Sequence, residues 1–207
     1  MALRQVGAAP STSDSVVDRS YVDPRTVLAL RTTPSGSWDN PNSVISSTPA
    51  APAAGTVGFL PHDVGNVAQP IQALGAFCTT AQSGGSTTIT LAVYGDDGTR
   101  SKPLLTGGPL ASGTITASTG GRTTVISMTL AARARYWFAF LQVNASTPTT
   151  SPAFTSTSSV LSMWYGASTA IGAVGRIVQM TGQTAMPSTG TLITSTTNWP
   201  IVAFQAA

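Results

Sequence analysis

From Gly55 to the C-terminus, apolar and β-branched runs of 5 to 10 residues are broken at short intervals by clusters of Gly, Pro and Asn. That rhythm constrains the fold more than any other feature, because strands bounded by tight turns at such spacing build sandwiches and barrels. The runs predict strands at 56–60, 71–80, 87–94, 113–117, 123–130, 135–143, 160–164 and 201–205. Along 87–94, Ile89, Leu91 and Val93 share one face and Thr88, Thr90 and Ala92 the other. Along 123–130, Ile126, Met128 and Leu130 oppose Thr123, Val125, Ser127 and Thr129, the alternation of a half-buried strand. The run 135–143 (RYWFAFLQV) is apolar on both faces, so it is either a central strand or one covered by another subunit. No helical period of any length interrupts this stretch. The expected fold is an all-β jelly-roll β-sandwich of about eight strands over 56–207.

The first 55 residues read differently. Residues 1–23 hold three of the seven Asp, and helix-capping residues at 11–14 precede Val16 and Val17. Val17 and Tyr21 stand four apart and Val22 follows, so a short helix is expected over 14–22, ending at Asp23-Pro24. Nine residues do not hold a helix alone in water, so this segment is expected to pack against copies of itself or a partner. Residues 24–55 form an extended linker punctuated by Pro24, Pro34, Pro41, Pro49 and Pro52. Within it, Trp38 is too large an aromatic to be left in free chain, and it is expected to dock.

The chemistry available is sparse. The chain has no Glu, seven Asp, one His (His62) and one Cys (Cys78), and no acid follows Asp97. No G-x-S-x-G elbow is present, and His62 beside Asp63 on a Pro-led stretch is poor relay geometry, so His62 reads as a loop or interface residue. Cys78 lies within a predicted strand and reads as a small buried hydrophobe. One His and one Cys sixteen apart do not make a metal site. The pair Asp96-Asp97 before Gly98 could contribute to a Ca²⁺ site, but without a third acid it reads first as a hairpin turn. No catalytic residue, metal or cofactor is expected.

Charged residues make up only 8% of the chain, against about 25% in ordinary globular domains. The net charge of +3 comes from scattered Arg, not from a basic patch suited to nucleic acid. Residues 1–10 lack the apolar core of a secretory leader, and no run approaches the ~20 apolar residues of a membrane span. Such a β-rich chain fits a particle assembled in the cytoplasm and released by lysis. Aromatic rings are the best binding signal: Trp164 and Tyr165 at a strand end, with Tyr94, are candidates to stack on a sugar face. Arg133 and Arg135 flank the most apolar strand. They need acids from Asp97 or earlier, from a neighbouring subunit, or from a ligand.

Two blocks resemble a known family. The segment 10–23 resembles the short D-x-x-x-x-K-x-Y-V-D motif near the start of many tailed-phage fibre and minor tail proteins, with Arg19 where Lys is usual. The block 87–105 is similar to the L-x-V/I-Y-x-D-x-G strand and turn of their jelly-roll domains, and Tyr136-Trp137-Phe138-Ala139 to a later Y-W-L/F-A strand. The matches touch about a quarter of the chain by the coarse strand map. The resemblance implies a non-enzymatic virion protein, often a homotrimer. Its N-terminal arm attaches to other virion proteins and its sandwich meets a host-surface glycan. Val17, Tyr21, Val22, Trp38, Arg133 and Arg135 are the candidate oligomer or attachment residues. A head-fibre or capsid decoration protein of the same build, or a stand-alone carbohydrate-binding module, are the alternatives.

Overall fold

Two antiparallel sheets face each other in a β-sandwich-like, all-β fold. The structure, a computed structural model, describes residues 34–39, 48–99, 101–156, 177–195 and 198–207, all within the compact unit Thr32–Ala207. The predicted helix at 14–22 and the predicted strand at 160–164 lie outside the described residues.

The first sheet runs β1 (Trp38–Asp39), β11 (Ala203–Ala206), β3 (Gln69–Thr80) and β6 (Gly120–Leu130). A fifth strand, β8 (Ala153–Phe154), takes over the β11 side of β3 at Cys78 and Thr80. The second sheet runs β10 (Ile193–Ser195), β9 (Ile177–Met180), β2 (Val57–Asp63), β7 (Arg135–Ser146), β4 (Ser86–Gly95) and β5 (Ala111–Ile115). Seven of the eight predicted strands correspond to β2, β3, β4, β5, β6, β7 and β11, with ends displaced by a few residues. The strands β1, β8, β9 and β10 have only two to four residues each, too few to display a period of two.

The alternation holds where it was read. Ile89, Leu91 and Val93 of β4 and Ile126 and Leu130 of β6 enter the core between the sheets, where they join Leu74, Phe138, Phe140, Phe154 and Phe204. Burying one such side chain contributes about 1.5–3 kcal/mol. The two-sided apolar character of β7 has a specific cause: it is central, between β2 and β4. Phe138 and Phe140 face the first sheet, while Trp137, Ala139 and Leu141 face out into a second buried cluster with Val57, Phe59 and Tyr94. That outer cluster is covered by this chain's own connections, through Leu105, Met186 and Leu192. The second sheet therefore has an apolar layer on each side.

His62 departs from expectation. It is a strand residue in β2, buried, with its ring edge-on to Phe138 (5.7 Å) and Phe204 (5.1 Å). The adjacent Pro61 does not break the strand. Pairing with β9 stops at Phe59, so Pro61 has β7 as its only neighbour among the described residues, and proline is tolerated where one side of a strand is unpaired. The described parts of the expected linker are likewise built into the sandwich: Trp38 and Asp39 pair with β11, Ala50 bridges to Phe154, and the Gly55 amide donates to Gln142.

Candidate functional site

The Asp96–Asp97 pair forms a wired turn. Gly98 takes φ +90°, a conformation that favours glycine. Its amide donates to Asp96 Oδ2 (3.0 Å), and the Thr99 amide donates to Asp97 Oδ1 (2.9 Å). The other Asp96 oxygen accepts the Trp137 indole N–H at 2.9 Å. Burial nudges the Asp97 carboxyl upward, but hydrogen bonds from Thr99 and the charge of Lys102, 3.5 Å away, outweigh it and hold the group below its usual value. The carboxylates are thus engaged by the turn itself, which is the reading the Asp-Gly signal favours. Among the described residues no three His, Cys or Asp side chains gather as metal ligands.

Two candidate residues find partners inside the chain. Arg135 makes a two-pronged ion pair with Asp63, Nε to Oδ1 at 2.8 Å and Nη2 to Oδ2 at 2.6 Å. The acid comes from before Asp97, the first of the three sources considered. Arg133 turns the β6–β7 connection with φ 59°, its amide donating to Gly65 and its Nε to Asn66 Oδ1 (3.1 Å). Cys78 is buried, and burial raises its thiol pKa; its Sγ donates to the Thr80 carbonyl at 3.1 Å.

Tyr94 belongs to the core and not to a ligand surface. It is fully buried, edge-on to Phe59 at 5.2 Å, and its hydroxyl donates to the Pro187 carbonyl at 2.9 Å. Burial pushes its pKa far above the ordinary tyrosine value. The other two proposed sugar-stacking residues, Trp164 and Tyr165, lie outside the described residues, as do Val17, Tyr21 and Val22.

Trp38 does dock, on the outer face of the first sheet. In the register Trp38–Gln205–Ala73–Val125, these four residues stand in one row across β1, β11, β3 and β6. The indole leans over Gly75, where an added Cβ would lie 2.8 Å from Trp38 Cζ3. Glycine there makes room for the ring. Beside it runs a groove of about 350 Å³ lined by Trp38, Phe77, Ile201 and Ala203. Trp38 is 44%, Phe77 54% and Val125 86% exposed, three large apolar side chains on one outer face. Phe77 and Val125 were not singled out from sequence. Their signal was there: Val125 is the one aliphatic residue on the Thr/Ser face of its strand.

A second depression, of about 770 Å³, opens at the end of the sandwich where β4 begins, β5 ends and β6 begins. Its walls are mostly Ser and Thr, with Arg122 as the only charged lining residue.

No family model, curated protein or solved structure matches the chain.

Proposed function

We propose that this chain is a non-enzymatic structural subunit of a tailed-phage particle, a tail-fibre or minor tail protein that assembles as a homotrimer and presents a jelly-roll domain to a host-surface glycan. In this reading residues 1–23 attach the subunit to other virion proteins. The resemblance of 10–23 and 87–105 to such proteins supports the virion assignment. The strand order supports the jelly roll. Taking β1 to β7 and β11 as the eight principal strands, the chain crosses between sheets at nearly every step and gives the orders 1-11-3-6 and 2-7-4-5, in which non-consecutive strands lie side by side as in paired Greek keys.

The observation that carries the assembly reading is the contrast between the two outer faces. The outer cluster of the second sheet is covered by the chain's own connections, whereas the first leaves Trp38, Phe77 and Val125 open, with Arg122 the one charged residue lining the groove beside Trp38 and Phe77. A face this poor in charge meets a copy of itself with little like-charge repulsion, and in a chain this poor in charge little else opposes association.

Mass spectrometry and immunogold imaging of purified particles test the assignment: the protein is expected on the tail. Absence from particles would sink it, and labelling of the head would move it to the capsid. Sedimentation equilibrium of the full chain is expected to return three times the monomer mass of 21.0 kDa.

A further inference from the structure

The depression at the β4–β5–β6 end has a chemistry that the assembly role does not use. Seven Ser and Thr residues line it, among them the exposed Thr88, Thr114, Thr116 and Thr123. Hydroxyls that both donate and accept suit the polar edges of a polyhydroxylated ring. At about 770 Å³ the space is within the range that accepts a small-molecule ligand.

Arg122 narrows the ligand class. Its Nε donates to the Ser118 carbonyl at 2.8 Å and its Nη2 to the Thr119 carbonyl. A guanidinium has five N–H donors, and these bonds to the β5–β6 turn engage only Nε and Nη2. Among the described residues Arg122 has no carboxylate partner, unlike Arg135 with Asp63 and Lys102 with Asp97. A guanidinium held by its own turn loses less freedom when it takes up a planar anion, and it matches a carboxylate in two-pronged geometry.

We propose that this cleft binds an acidic saccharide, with Arg122 pairing the sugar carboxylate and the Ser/Thr walls taking the hydroxyls. The proposal deepens the glycan-binding part of the proposed function and rests on it.

The test titrates the full-length protein with tri-galacturonate and 3′-sialyllactose, using calorimetry and amide chemical shifts, and compares each acid with its methyl ester. At least one acid is expected to bind, its ester at least tenfold more weakly, with shifts concentrated at 86–88, 114–118 and 121–123. Arg122→Gln is expected to bring acid affinity down to that of the ester. Because Arg122 also braces a turn, the double variant Thr88→Val/Thr116→Val serves as a second probe: it should weaken acid and ester alike and leave the preference between them. Equal affinity for acid and ester, shifts confined to other surfaces, or no binding of either acid overturns the proposal. Those outcomes are separable from failure of the virion assignment, which is read on particles and not on sugars.

Discussion

The Trp137 indole N–H donates to Asp96 across 2.9 Å, tying the start of β7 to the turn that leaves β4. The same carboxylate accepts the Gly98 amide, so one side chain shapes the turn and satisfies a buried ring. Asp96→Ala is expected to lower stability by about 1–3 kcal/mol, because it strands a donor in an apolar layer. Asp96→Asn keeps an acceptor oxygen and should cost less. Trp137→Phe removes the donor together with ring volume. In chemical denaturation the double variant Asp96→Ala/Trp137→Phe should lose less than the sum of the singles; strict additivity would show that the bond contributes nothing.

Arg135 and Asp63 are unequally buried, at 10% and 34% side-chain exposure. Removing the acid leaves a guanidinium in a dry setting, whereas removing the base leaves a carboxylate that water can reach. Asp63→Asn is therefore expected to cost more than Arg135→Met, roughly 2–3 against about 1 kcal/mol. Thermal melts of the two variants settle the order, and the reverse ranking would contradict it.

His62 makes stability depend on pH. Burial lowers its pKa below 6.5, and the carboxylates of Asp39 and Asp63 and the Gln69 side chain pull back only in part. The unfolded chain then takes up a proton near pH 6.5 that the folded chain refuses. Stability is full above that pH and falls as the pH drops toward the depressed folded value, by at most about 1.4 kcal/mol per unit for one proton. His62→Leu should flatten the melting temperature between pH 7 and 5. An unchanged slope would assign the effect to other groups.

Much of the sandwich was readable because long strands with one wet face announce themselves; β4 and β6 are examples. The two-sided run of β7 was readable as central or covered, but not which, since the covering residues Leu105, Met186 and Leu192 come from irregular segments with no period. His62 was misread because Pro61 looked like a breaker, and nothing local says that β9 stops at Phe59. The seating of Trp38 required knowing that Gly75 lies beneath it, a relation between residues far apart in the chain. Arg122 was one scattered Arg among nine. Only folding showed that it lines a hydroxyl-walled cleft, because Ser and Thr are spread too evenly along the chain to mark one place.

Val125 and Phe77 allow the exposed face to be tested without disturbing the core. Val125 has almost no burial to lose, so Val125→Asp should change the melting temperature of the isolated subunit by no more than a surface substitution does, within about 0.5 kcal/mol. If copies meet on this face, Val125→Asp and Phe77→Asp should each shift sedimentation from trimer to monomer. A trimer that survives both substitutions puts the contact elsewhere.

The pairing irregularity between Ile71 and Ala73 of β3 decides what this face exposes to the outside world. Before it Ile71 points inward; after it Leu74, Ala76 and Cys78 do. Continued without the shift, the pattern would sink Phe77 and bring Cys78 to the surface, since a one-residue slip exchanges the two sides of a strand. The chain's single thiol would then stand where subunits are proposed to touch. Dissolved oxygen could then oxidise it together with the thiol of a neighbouring copy to a disulfide, turning a reversible contact into an indiscriminate covalent one. A local break in strand register thus acts as chemical protection.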